Sequence, residues 1–165
     1  MKFKLVLCNL IICFFLFNCN ENVDRLITFD ENFEYSLEEF SDIEILRYDI
    51  PGWNNLTLKE QKLVYYLTQA GLSGRDIMWD QNYRHNLEIR TALENVYFNY
   101  TGDKKSDDWM SFEVYLKRLW FSNGIHHHYS NDKINPEFEL NYLTQILSST
   151  NKIISDDSLD VIFNY

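Results

Sequence analysis

The sequence predicts a mainly α-helical domain, and three observations carry that expectation. Apolar residues recur at spacings of three and four through most of the chain, helix-capping patterns precede several of these runs, and glycine and proline are scarce. With five Gly and two Pro in 165 residues, a many-turned sandwich or barrel lacks the residues its hairpins draw on for unusual backbone angles. The length suits one domain with its own core, and 45% hydrophobic with 16% aromatic side chains separates the chain from disordered polymers. A formal charge of −10 repels polyphosphate, which argues against nucleic acid and against electrostatic docking on anionic lipid.

The first residues follow the order of a signal peptide. Lys2 and Lys4 lead into an apolar run from Leu5 to Phe17, interrupted only by Asn9, and polar Asn18, Cys19, Asn20, Glu21 and Asn22 follow. The run is shorter than the ~20 apolar residues of a spanning helix; a buried N-terminal helix is the other reading. Residues 1–18 are therefore expected to direct export. All three cysteines, Cys8, Cys13 and Cys19, lie here, so the body of the protein has no internal disulfide and no thiolate metal site. Cys19 follows Leu16, Phe17 and Asn18 in the manner of a bacterial lipobox, with Asn18 where a small residue is usual. It is the expected lipidation site and new N-terminus, with plain secretion as the alternative. The expected location is the cell envelope as a lipoprotein, or the periplasm or exterior, with membrane contact only through that lipid. Residues 19–35 read as an acidic, irregular tether, and residues 36–165 as the folded part.

Helical patterns then recur in order. Ser36 to Tyr48 places Leu37, Phe40, Ile43 and Leu46 three apart and is expected to be a helix stopped by Pro51 and Gly52. Thr57 with Glu60 forms a capping box, after which Leu63, Val64, Leu67 and Ala70 share one face until Gly71 and Gly74. Ser73 to Gln81 is a short continuation. Arg84 to Tyr100 carries Ile89, Ala92, Leu93, Val96, Tyr97 and Tyr100 on one stripe. Ser106 is the next N-cap, with Asp107 and Asp108 complementing the helix dipole and Trp109, Phe112, Leu116, Leu119 and Trp120 facing inward. Asn135 with Pro136 is expected to start a further helix bearing Phe138, Tyr142, Leu143, Ile146 and Leu147. Ser158 to Tyr165 is apolar without an evident partner element, as in a chain cut short inside a larger fold.

Candidate chemistry is sparse. His126, His127 and His128 are consecutive; in an extended segment His126 and His128 share a face, where imidazoles could bind metal, donate hydrogen bonds or shuttle protons. No carboxylate or further His is marked to join them, and a polar loop of stacked rings is the simpler reading. His85 stands alone near a helix start, where a surface or capping role is expected. Glu38 with Glu39 and Asp107 with Asp108 are neighbours that point apart on a helix. A helical zinc motif, a nucleophile elbow, a phosphate loop and a dinucleotide fingerprint are all missing from the sequence.

Four segments carry a family resemblance: Ile45 to Gly52, Leu63 to Ala70, Gly74 to Ile77 and, most specifically, Tyr115 to Tyr129 with its Ser122, Asn123, Gly124, Ile125 and triple His. Together they resemble the N-terminal part of the bacterial branch of dipeptidyl peptidase III, the M49 metallopeptidases, from about residue 33 to about residue 147. The resemblance implies a helical N-terminal part of the lower lobe in a two-lobed α+β zinc exopeptidase that removes dipeptides from the amino ends of short peptides. In that family zinc is held by a helical motif with two His and a catalytic Glu, plus a second acidic motif; neither occurs in this sequence. This chain is accordingly expected to bind no metal, to hold no catalytic residue and to be inactive alone, with peptides and a separate catalytic lobe as partners. The loop that helps to wall the family's peptide cleft corresponds to Asn123, Gly124, His126, His128, Tyr129, Lys133 and Pro136, and backbone at Asn123 and Gly124 is expected to hold an extended peptide by strand addition. The sequence departs from the family pattern at Ser130, Asn131, Asp132, Ile134 and Asn135. The rival readings are a stand-alone envelope lipoprotein that binds peptides or a protein without catalysis, and a remnant without function.

Overall fold

The computed structural model describes residues 30–164. The expected signal peptide, Cys19, most of the tether and Tyr165 lie outside the described residues. The rest is mainly helical, as the composition and periodicity imply, with one small sheet. After strands β1 (Ser36–Phe40) and β2 (Ile43–Leu46) come helices α1 (Leu58–Ser73), α2 (Arg75–Asn82), α3 (Asn86–Asn99), α4 (Asp107–Ser122), α5 (Leu140–Ser149) and α6 (Asp156–Phe163).

The expected helix over Ser36 to Tyr48 is instead an antiparallel hairpin, with Phe40 paired to Ile43. A two-residue turn drives this, because Ser41 takes φ 54 and Ser41–Asp42 then reverses the chain. Phe40 and Ile43 bury themselves beside the turn, while Leu37 and Leu46 stay exposed, so the three-residue spacing marks no helical face. Lys117 on α4 holds Glu38 at 2.5 Å, and Arg118 lies 3.7 Å from Asp42. The last residues of the acidic segment join this hairpin, since Tyr35 accepts the Arg47 amide at 2.8 Å and the Arg47 guanidinium covers the Phe33 ring.

One apolar core unites α3 to α6. Ile89, Leu93 and Val96 of α3 meet Trp109, Phe112, Leu116 and Leu119 of α4, with Leu143 and Ile146 of α5 and Ile162 of α6. The Ser106 cap forms as expected, its hydroxyl accepting from the Trp109 amide. The capping box at Thr57 and Glu60 forms too, but no described residue covers the apolar face of α1: Leu63, Val64 and Leu67 are 58%, 42% and 63% exposed. Capping fixes where α1 starts without saying what it packs on.

Two further boundaries differ from expectation. The helix assigned to Asn135 and Pro136 begins only at Leu140, after Glu139. The preceding backbone is used elsewhere: Ile134 donates to the Ile125 carbonyl at 2.8 Å and Lys133 bridges to His126. Asn135, preceding proline, is biased to the same extended form. The stretch after Ser158 does have a partner, because α6 buries Val161 and Ile162 in the core. Its ends are satisfied by the Ser155 cap and by the Lys133 ammonium on the Val161 and Ile162 carbonyls.

Candidate peptide-binding site

The loop after α4 is shaped by two residues that tolerate left-handed or open backbone. Asn123 ends α4 at φ 53, ψ 41, a conformation Asn adopts more readily than most residues, and Gly124 follows at φ 152. Both amides donate to the Leu119 carbonyl, and the Asn123 carbonyl accepts from Asn82 Nδ2 at 3.2 Å. The main-chain donors expected to hold a peptide by strand addition are thus engaged in ending α4.

Beyond Gly124 the chain forms a narrow antiparallel excursion rather than a continuous strand. His127 donates to Asp132 at 2.8 Å, and Ser130 donates back to His127 across a turn. His126 sits edge-on to Tyr83 with ring centroids 5.2 Å apart, while His128 meets Phe121 at 4.7 Å. Tyr129 is 89% exposed at the tip. Burial holds the His126 imidazole below its ordinary pKa, and the Lys133 charge adds to this. His126 is therefore a neutral hydrogen-bonding group near neutral pH.

A concavity of about 530 Å³ lies beneath this excursion. Of the residues marked out by sequence, Asn123, Gly124, His126, His128 and Tyr129 line it. Lys133 does not; it lies in a neighbouring depression of about 580 Å³ that also includes Arg118 and Pro136, with its ammonium capping α6. Sequence reading missed Asn82 and Asn86, which complete the concavity's wall. For Asn86 a signal existed. It falls on the same helical stripe as Ile89, Leu93 and Val96, and an Asn on a core stripe needs a reason to be buried.

His85 is not a surface residue but a buried member of a polar network. Its Nε2 accepts from Arg84 Nε at 2.9 Å, so Nδ1 carries the proton and reaches Ser158 Oγ at 3.0 Å. Ser158 in turn donates to Glu88 at 2.5 Å. Burial raises the Glu88 carboxyl, but hydrogen bonds from Ser158 and Ser155 more than reverse this and leave it below the ordinary value. Ser158 is fully buried and closed to a substrate, so the network anchors α6 on α3.

Among the described residues, no group of three or more His, Cys, Asp or Glu side chains could hold a metal ion. His126 and His128 turn to different aromatic partners, and among the described residues no carboxylate lines the concavity. These residues do not fit the family's zinc centre. Among the described residues, no helix is long and apolar enough to cross a membrane. Neither a scan of protein-family models nor a search of curated proteins finds a match for the chain.

Proposed function

We propose that this chain forms one wall of a peptide cleft of the dipeptidyl peptidase III type, in a zinc exopeptidase whose metal and general base come from motifs that this sequence lacks. The observation that supports it is positional. The segment most similar to the family, Tyr115 to Tyr129, ends in the loop that lines the concavity, where the resemblance places the cleft wall. The chain binds the peptide and orients it; it supplies no nucleophile, metal or catalytic base. Export through residues 1–18 and lipidation at Cys19 belong to the same proposal.

A second reading, a stand-alone envelope lipoprotein that binds peptides without catalysis, draws support from a different observation. The core from α3 to α6 closes on itself, with Trp109, Phe112, Leu116 and Ile162 almost wholly buried. The uncovered Leu58, Leu63 and Leu67 of α1 favour the first reading, since a further lobe would cover them.

The test combines binding with turnover. Purified protein with added zinc is expected to bind a short peptide yet release no dipeptide from a dipeptidyl-naphthylamide. Release at a rate above zinc alone contradicts the proposed division of roles, and absence of peptide binding contradicts the cleft. For the anchor, labelled palmitate is expected in the wild type and not in Cys19→Ala; equal labelling contradicts lipidation at that residue.

A further inference from the structure

The family resemblance puts Lys133 in the peptide loop, yet its side chain turns away from the concavity to another task. Helix α6 ends with carbonyls that no amide of the helix itself can reach. The Asp160 carbonyl takes the Asn164 amide at 2.7 Å, and the Val161 and Ile162 carbonyls take the Lys133 ammonium at 3.2 and 2.9 Å. A cation in that place also faces the negative end of the helix dipole. The Asp160 carboxylate, on the same helix, opposes the lowering of the Lys133 pKa that burial imposes.

The main chain of Lys133 has a separate partner. It pairs with His126 across the antiparallel excursion, between the Ile134 amide on the Ile125 carbonyl and the His127 amide on the Asp132 carbonyl, each at 2.8 Å. Residues opposed between two such bonds carry their side chains on one face and close together. His126 therefore stands beside Lys133 with the Tyr83 ring edge-on at 5.2 Å, and burial first and the ammonium second keep its imidazole neutral. The far end of α6 is fixed independently, by Ser155 and Ser158 on Glu88 and by Ser158 on His85. One helix thus runs from the α3 network to the loop, and Lys133 is the side chain that joins them.

We propose that Lys133 is a positioning residue for the peptide wall: its ammonium fastens the returning arm of the excursion to the end of α6, and its main chain thereby sets His126 at the edge of the concavity. The assignment rests on the peptide-cleft reading, and gives Lys133 an indirect role in place of the peptide contact that the resemblance implies. It makes α6 part of the site, although no α6 residue lines the concavity.

The full chain is compared as wild type, Lys133→Met and Lys133→Arg in two measurements, the pH titration of the His126 ring by NMR and calorimetric titration with tetra-alanine. Lys133→Met keeps the aliphatic stem and loses the charge and the donors. In that variant His126 is expected to titrate at higher pH, since a neighbouring positive charge is gone. The peptide is expected to bind at least about fivefold more weakly, the cost of ordering a freed side chain on binding. Lys133→Arg is expected to restore both. Should Lys133→Met fail to melt cooperatively, Lys133→Gln, which keeps a donor for the carbonyls, is read by the His126 titration in its place. A plain helix cap would lower the melting temperature alone, so a wild-type value for either measurement in Lys133→Met overturns the positioning role. A wild type that binds no peptide overturns the cleft reading instead, and the His126 titration then decides the placement of the ring by itself.

Discussion

Ser158 shows how one hydroxyl couples distant parts of the chain. It stands between the His85 ring on the amino-terminal side of α3 and the Glu88 carboxylate, while its own backbone amide is capped by Ser155. Ser158→Ala leaves the His85 Nδ1–H buried without its acceptor, and a loss of about 1–3 kcal/mol is expected in urea unfolding at neutral pH. Gln at position 88 keeps the shape and loses the charge that faces the start of α6. Because the folded-state pKa of Glu88 lies below its ordinary value of 4.5, its contribution is present in full above that value and is lost as pH falls through the lower folded one. The stability gap between wild type and Glu88→Gln, on the order of 1 kcal/mol or less for so exposed a carboxylate, is expected to be constant near neutral pH and to close in acid. A gap that widens in acid would contradict the assignment. Neither network member was legible in sequence, since His85 and Ser158 are 73 residues apart and nothing local pairs them. Asn86 was partly legible, as a polar residue on an apolar stripe.

Helices whose signals are local, in α3 and α4, form where the sequence places them, whereas elements decided by pairing with distant chain do not. The α3 stripe rests on periodicity alone and α4 adds the Ser106 cap to its own stripe, and both helices form where these signals stand. In the hairpin a positive φ at Ser41 outweighs three-residue spacing, and that angle is not written in the residue type. The late start of α5 follows from the bridge between His126 and Lys133, a contact invisible to a window sliding along the chain. For α1 the spacing marks an amphipathic face that no described residue covers. This difference is measurable: Leu93→Ala, in the core at 0% exposed, is expected to cost about 2–5 kcal/mol. The paired change Leu63→Glu and Leu67→Glu on α1 is expected to alter unfolding free energy by no more than about 0.5 kcal/mol. A large loss from the α1 pair would mean that α1 packs on something in the isolated protein.

At the scale of the molecule, a closed core from α3 to α6 positions a polar loop, and an uncovered helix lies to one side. The sequence marked the loop, because Asn123, Gly124 and the triple His stand out as residue types, and five of the marked positions line one concavity. It could not show that Lys133 serves the end of α6, nor that the Asn123 and Gly124 amides serve the end of α4; both follow from how the chain folds back. The proposed role of this loop is that of a peptide-binding wall. The most direct measurement is a titration of nitrogen-labelled protein with a short free-acid peptide, following every backbone amide. Saturable shifts clustered at Asn82, Asn86 and Asn123 to Asn131, with α1 and the hairpin unmoved, are expected. Saturable shifts confined to α1, or none anywhere at millimolar peptide, would contradict it.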